Sequence, residues 1–391
     1  MLRPVNYCRA SLQQTVIALI LLSLFSCTPD PYKSQLKKPF PEYKFARFET
    51  QQTTTCGSFP AYIGSLKPPS KYQQHIKTKD QLSEKNAQIF EKKTQGIKEF
   101  ERHMTGLVDT IANTNGHSAH IQCYIHHLTN WANHQALLTH NINKTGKAIR
   151  KWTLASIAAS YIRLDLSQAI DSSTKQTIEN WLSLLAAQVI MDYKYRPARL
   201  RNNHDYWAAW AVINVAVITQ NKEYFGWAHQ QWVKAMTDIN SRGFLANELK
   251  RGTKTREYHN FAIMPLVGLA AFINANQTIN YNNNDWQAYQ RLITLMTNNI
   301  LSHQDFEHQV GKQVNYDILN GGRLAWIPMH LSIHSVDKHI ACRLQYIIEN
   351  NPSNSYSRLG GETAKYYPRQ TYCTHNSPRW NTPTSASMTS T

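Results

Sequence analysis

From Gln81 onward, apolar residues recur at helical spacing: Leu82, Ile89, Phe90, Ile97, Phe100, Met104, Leu107, Val108 and Ile111 mark one face of a long helix. Similar amphipathic blocks follow near 119–138, 145–167, 174–195, 206–219, 222–239, 256–275, 285–301 and 338–349, joined by short connectors rich in Asn, Gly and Asp. This succession constrains the fold more than any other feature. Period-two alternation is scarce, so no large sheet is expected. Short connectors make successive helices antiparallel neighbours. Eight or more such arms in a row, with no strict repeat, predict an all-α chain: an α/α toroid, or incomplete α/α barrel, of antiparallel helical hairpins.

The N-terminus bears on the compartment. Residues 1–26 hold Arg3 and Arg9 and no acid, and from Val16 to Phe25 every residue but Ser23 is apolar. This is the layout of a secretory signal, and the run is too short to span a bilayer. Ser23-Leu24-Phe25-Ser26-Cys27 resembles a bacterial lipoprotein box with Cys27 as the lipidated first residue. Ordinary cleavage nearby, leaving a soluble periplasmic protein, is the alternative. Residues 27–55 are polar and aperiodic and read as a linker. Pro68-Pro69 makes Lys67–Tyr72 an extended loop. The expected division is therefore signal 1–26, linker 27–55, toroid domain 56–375 and a disordered tail over 376–391.

Of six cysteines, Cys8 leaves with the signal and Cys27 carries lipid. Cys56, Cys123, Cys342 and Cys373 remain, an even number suited to an oxidising compartment. Three pairings are possible; Cys56–Cys123 with Cys342–Cys373 is favoured. No CxxC pair exists, which excludes zinc ribbons and thioredoxin motifs. Lys plus Arg number 42 against 25 Asp plus Glu, a net charge of +17. Such an excess predicts an anionic partner. Export argues against nucleic acid and leaves an acidic polymer or membrane face. Ten Trp and 20 Tyr supply stacking surfaces for sugars.

Two segments are dense in chemistry. Asn202-Asn203-His204-Asp205-Tyr206-Trp207-Ala208-Ala209-Trp210 opens an apolar helix, where Asp205 or Asn203 can act as N-cap. Capping plus an aromatic core stripe explains it equally well. Gly243-Phe244-Leu245-Ala246-Asn247-Glu248-Leu249-Lys250-Arg251 runs into Gly252-Thr253-Lys254-Thr255-Arg256-Glu257-Tyr258-His259-Asn260. Arg251 and Tyr258 would share a helical face, but Gly252 and Thr253 argue for a partial loop. For its cations, a solvated basic face is the simpler account. His126, His127 and His134 fit no zinc pattern and read as structural. Gly360-Gly361 lacks the Lys-Ser/Thr of a phosphate loop. No metal or cofactor is expected.

Asn-Asn-His-x-Tyr-Trp-Ala-Ala-Trp, Gly-Phe-Leu-x-Asn-Glu-Leu-Lys-Arg and Tyr-His-Asn before an apolar helix resemble the periplasmic alginate lyases of polysaccharide lyase family five. Ser70-Lys71-Tyr72, Thr145-Gly146-Lys147-Ala148-Ile149-Arg150-Lys151-Trp152 and Arg358-Leu359-Gly360-Gly361-Glu362 match further blocks in the same order, over roughly residues 56–367. The resemblance implies an α/α toroid, β-elimination on poly-mannuronate leaving unsaturated uronate ends, and no obligatory metal.

Such a lyase must remove a C5 proton made only weakly acidic by an anionic carboxylate. The resemblance assigns Arg251 and Asn203 to neutralising that carboxylate and Tyr258 to acid/base work, with Arg251 lowering the tyrosine's pKa. His204 would hold the carboxylate or act as base. Ser70, Lys71 and Tyr72 match a substrate-binding loop able to close over the cleft. Lys144 and Thr145 align with a binding pair that is His-Thr in the family; Lys keeps a donor and loses the imidazole. Trp152 and Trp131 stack on sugar rings or pack in the core, and Arg358 joins the binding set. The expected partner is alginate or polymannuronate, with no nucleic acid, a lipid anchor and a monomeric enzyme. Another polyuronate, or a non-catalytic polyanion-binding lipoprotein, are the competing readings.

Overall fold

The computed structural model describes residues 35–44, 55–114, 117–277, 283–314, 316–333, 337–351, 355–368 and 370–373. The expected signal over 1–26, the lipidation site Cys27 and the tail over 376–391 lie outside the described residues.

The helices are α1 (Glu84–Asn113), α2 (Ser118–Asn133), α3 (Lys144–Tyr161), α4 (Ser172–Tyr193), α5 (Asn203–Ile218), α6 (Lys222–Thr237), α7 (Thr255–Asn276), α8 (Asn284–Asn298), α9 (Gln304–Val310), α10 (Trp326–Leu331) and α11 (Lys338–Glu349). The polar connectors have a mechanical role. Asn143, Asp171, Asn221 and Asn283 each cap a helix by accepting a backbone N–H from its first turn. At α5 the cap is Asn202, one residue before Asn203 and three before Asp205, the expected candidates. Its side chain accepts from His204 N at 3.0 Å, and the Asp205 carboxylate accepts from Asn202 N at 2.8 Å.

Helices α1, α3, α5, α7 and α10 pack in succession as an inner ring, and α2, α4, α6, α8 and α11 lie outside it. Burial follows this division. Of the 16 residues of α5, 14 are buried, against 6 of the 16 in α6. An inner helix is apolar all round because it has neighbours on every side. The gap between the first and last inner helices is spanned by a hairpin, β1 (Ser355–Tyr356) and β2 (Gly361–Glu362), with a 3-10 turn over Ser357–Leu359 that packs on α1, α3 and α7. The fold is thus the expected α/α toroid. Its two unforeseen helices are short, and all six residues of α10 are buried, which erases the amphipathic signal.

Both disulfides form as favoured. Cys56–Cys123 ties the leading segment to α2, and Cys342–Cys373 ties α11 to the last described segment. The linker reading needs one correction. Within 27–55, residues 35–44 are docked: Leu36 and Phe40 are buried, and Tyr43 N donates to Arg163 O at 2.8 Å. Leu36 N and Lys37 N donate to the side chains of Gln220 and Asn276, at 2.8 and 2.7 Å. Two apolar residues are too few to register as a periodic pattern.

Candidate active site

The first turn of α5 carries Asn203 and His204, and a neighbouring 3-10 turn over Leu249–Lys254 carries Arg251. Asn203 and Arg251 meet through Glu248, which is fully buried. One carboxylate oxygen accepts from Asn203 N at 2.6 Å and from Asn203 Nδ2 at 2.8 Å. The other accepts from Arg251 Nε at 3.0 Å. A buried carboxylate is stable when paired and hydrogen-bonded in this way, so Glu248 fixes both the amide and the guanidinium.

The turn breaks at Gly252, whose φ of +58 lies in the left-handed region. α7 restarts at Thr255, and the chain brings Tyr258 beneath Arg251, with the guanidinium carbon 4.5 Å from the ring centroid. The approach expected for a continuous helix is therefore achieved across a kink. Tyr258 Oη donates to Tyr72 Oη at 3.3 Å. Tyr72 N in turn contacts Ser70 Oγ at 3.4 Å, and Lys71 O accepts from Ser83 N at 2.9 Å, which ties this loop to the start of α1. Burial pushes the Tyr258 phenol well above its usual value, reinforced by Tyr72, while Arg251 pulls the other way. The expected net lowering by Arg251 is thus outweighed by desolvation, and the free site holds a neutral phenol.

His204 anchors the opposite side. Its Nδ1 lies 2.6 Å from Nζ of Lys151, a fully buried residue of α3 that also donates to Tyr193 Oη at 3.0 Å. The imidazole stacks on Trp152 with centroids 5.5 Å apart. Burial holds the His204 pKa well below the usual imidazole range, and Lys151, Arg196, Arg251 and Lys144 depress it further. Trp152 is also covered by Arg358, whose guanidinium carbon stands 4.2 Å from its ring centroid. Trp152 thus contacts both the His204 ring and the Arg358 guanidinium. Trp131 is core: it stacks on Phe100 at 3.6 Å and donates to Phe59 O.

Backbone geometry supports this floor. Pro265 removes an N–H from the ladder of α7, and the carbonyl thus released, Phe261 O, accepts from Trp207 Nε1 at 3.1 Å. Phe261 packs edge-on against Trp152 at 6.2 Å. At the N-terminus of α3, a Cβ on Gly146 would lie 1.9 Å from Leu66 O, so only glycine lets the 66–68 segment pass. Asn143 then holds Pro68 O at 2.9 Å. Lys144 is exposed at this end; its charge reaches His204. Thr145 is half-buried and makes no side-chain hydrogen bond among the described residues.

Of the expected residues, Asn203, His204, Arg251, Tyr258, Ser70, Tyr72, Trp152 and Arg358 thus interlock, while Lys71, Lys144 and Thr145 stand at the periphery. Glu248 and Lys151 were missed, although both lie inside the matching blocks. Their signal was burial, which a single chain does not display. His127 packs edge-on against Phe59, and His134 bonds Asn130 O, both as structural residues. Among the described residues no cluster of three or more His, Cys, Asp or Glu side chains could hold a metal. A cavity of about 600 Å³ lined by Arg242, Trp286, Tyr289 and His330 lies elsewhere and contains none of these site residues.

The sequence and the fold both resemble those of known proteins. Residues 66–306 match the family model described as Alginate lyase. The chain is 32% identical over 316 residues to an alginate lyase of Pseudomonas aeruginosa (strain LESB58), covering 80% of this chain and 84% of that one. It is 32% identical over 329 residues to an alginate lyase of Cobetia marina, covering 82% and 86%. Among solved structures, alginate lyase A1-III complexed with tetrasaccharide superposes with a TM-score of 0.65 at 18% identity, over 83% of this chain and 89% of that one. The A1-III structure from Sphingomonas species A1 gives 0.60.

Proposed function

The chain belongs to the alginate lyase family, and we propose that this polysaccharide lyase cleaves mannuronate-rich alginate by β-elimination in the periplasm. The observation that carries the reading is the linked set Asn203–Glu248–Arg251–Tyr258, facing His204. It joins a fixed cation, an amide, an imidazole and a phenol in one cleft.

In this mechanism Arg251, Asn203 and His204 bind the uronate carboxylate, withdrawing the charge that opposes loss of the C5 proton. In mannuronate the C5 hydrogen and O4 lie on the same face of the ring, so one hydroxyl serves both. Tyr258 passes its proton to O4 as the C4–O4 bond breaks. Its oxygen, whose developing negative charge faces Arg251, takes the proton from C5. The C5–H electron pair becomes the C4–C5 double bond, and the tyrosine ends as it began. A neutral resting phenol suits this sequence, because the proton given to O4 is already in place. Two A1-III structures complexed with tetrasaccharide carry a histidine-to-alanine and a tyrosine-to-phenylalanine replacement, the same two residue types.

Ser70, Lys71, Tyr72, Lys144, Thr145, Trp152 and Arg358 complete the binding surface in this reading, with Tyr72 closing over the reacting sugar. Cys27 carries a lipid anchor and the enzyme acts as a monomer. Ultraviolet absorbance of the unsaturated uronate product, followed on polymannuronate, polyguluronate and glucuronan, tests the substrate. Faster cleavage of polyguluronate or glucuronan than of polymannuronate would overturn it. Cys27→Ser should move the protein from the membrane fraction to the soluble periplasm; unchanged fractionation would remove the anchor.

A further inference from the structure

Lys151 is buried beneath the cleft and touches no surface that a polymer can reach. Its ammonium group is nevertheless placed with care. Nζ lies 2.6 Å from His204 Nδ1 and 3.0 Å from Tyr193 Oη, over the faces of Trp152 and Tyr193 at 4.9 and 4.7 Å. We infer that Lys151 is the positioning residue that fixes the tautomer of His204, by donating to Nδ1 and so holding the single imidazole proton on Nε2. The inference rests on the reading of this cleft as a lyase site only for its consequence; the tautomer itself follows from the contact.

The argument is one of donor counting. As an ammonium Lys151 has three hydrogens to give and no lone pair, so a nitrogen 2.6 Å away accepts; as a neutral amine it has two, one for Tyr193 Oη and one for His204 Nδ1. Nδ1 then carries a lone pair, and the proton of a neutral imidazole sits on Nε2. The surroundings keep the ring neutral. Burial, Lys151 itself, Arg196, Arg251 and Lys144 all disfavour an imidazolium. Burial holds the Lys151 pKa well below its ordinary value; Asp205 and Asp192 favour its charged form, and Arg196 and Arg358 oppose it. Asp205 is itself paired with Arg196 at 3.3 Å.

The consequence is a choice of role. An imidazole with hydrogen on Nε2 and Nδ1 spent on Lys151 has no lone pair to present to substrate. It is a hydrogen-bond donor for a carboxylate, and it cannot take the C5 proton. A carboxylate in the place of Lys151 would do the reverse, drawing the proton to Nδ1 and baring Nε2 as a base. The lysine thus specifies His204 as a neutral donor and leaves the proton traffic to Tyr258.

Nitrogen NMR of the histidine-labelled wild-type protein without substrate tests this directly, with His204→Gln to identify the resonances. Above neutral pH, Nδ1 should be unprotonated and Nε2 protonated; a proton on Nδ1 would overturn the inference. Two variants give a second reading. Lys151→Glu should lower turnover about 10²–10³-fold, as for losing one donor to developing charge, with KM much less affected. Lys151→Met, which removes the donor without inverting it, should cost about tenfold and raise the acidic limb of the pH profile, because a cation beside the imidazole is gone. Equal losses in both variants, with an unmoved limb, would mean that Lys151 is merely structural. If the wild type cleaves no alginate, the functional reading fails while the NMR result still decides the tautomer.

Discussion

Tyr258 donates its hydroxyl hydrogen to Tyr72 across 3.3 Å, joining α7 to the loop that precedes α1, 186 residues away in sequence. The loop is thereby seated on the proposed acid/base group. Tyr258→Phe removes one oxygen and leaves the ring under Arg251. Turnover on polymannuronate should fall by about two to four orders of magnitude with KM little changed, because the lost interaction belongs to the transition state. Near wild-type turnover would move the proton transfer elsewhere.

Glu248 holds Asn203 and Arg251 at once. Glu248→Ala leaves a buried amide and a guanidinium without their acceptor, which should cost about 3–5 kcal/mol in denaturant unfolding. Glu248→Gln keeps the shape and one acceptor. It should preserve most stability yet lower kcat/KM, since Arg251 loses its charged anchor. A Gln variant with unchanged kinetics would show that the pair does not position the site.

Lys71 and Lys144 are exposed at the rim, and Arg251 lies within. A line of carboxylates approaching these cations should feel salt strongly. Between low and high ionic strength kcat/KM should drop by about tenfold, chiefly through KM. A Michaelis constant flat across that range would remove the basic rim from the account.

His259 and His330 are fully buried and neutral, their pKa values held down by burial to about 4 and about 3. His259 Nε2 accepts from Leu245 N at 2.9 Å, and Nδ1 donates to Thr255 O, so a second proton would break a bond. The unfolded chain takes up these protons near pH 6.5 and the folded one only below about 4. Stability is therefore full above pH 6.5 and falls as the pH drops towards 4, by about 1.4 kcal/mol per pH unit for each histidine. Denaturant midpoints measured across that interval check the slope, and Leu substituted at His330 should remove one histidine's share of it.

The Cys56–Cys123 bridge closes a sequence separation of 67 residues and staples the leading segment to α2. Cys56→Ser with Cys123→Ser should destabilise the domain by about 2–5 kcal/mol in chemical unfolding. An unchanged midpoint would mean that packing of Phe59 against His103 and His127 suffices to hold that segment.

The chain's alternation of helix and Asn- or Asp-capped turn determined the toroid by itself, because periodicity and capping are local and written residue by residue. The blocks around Asn203, Arg251 and Tyr258 likewise announced most of the site. Tertiary structure alone decided the rest. Whether Arg251 reaches Tyr258 depended on the left-handed turn at Gly252, and the contact of Arg358 with Trp152 depended on the closing hairpin. Glu248 and Lys151 looked like ordinary charged residues in sequence. Burial, created only when α3, α5 and the Leu249–Lys254 turn converge, converts them into the supports of the cleft. A carboxylate or an ammonium withdrawn from water must bind its neighbours closely or not be charged at all, and that necessity has no signature along the chain.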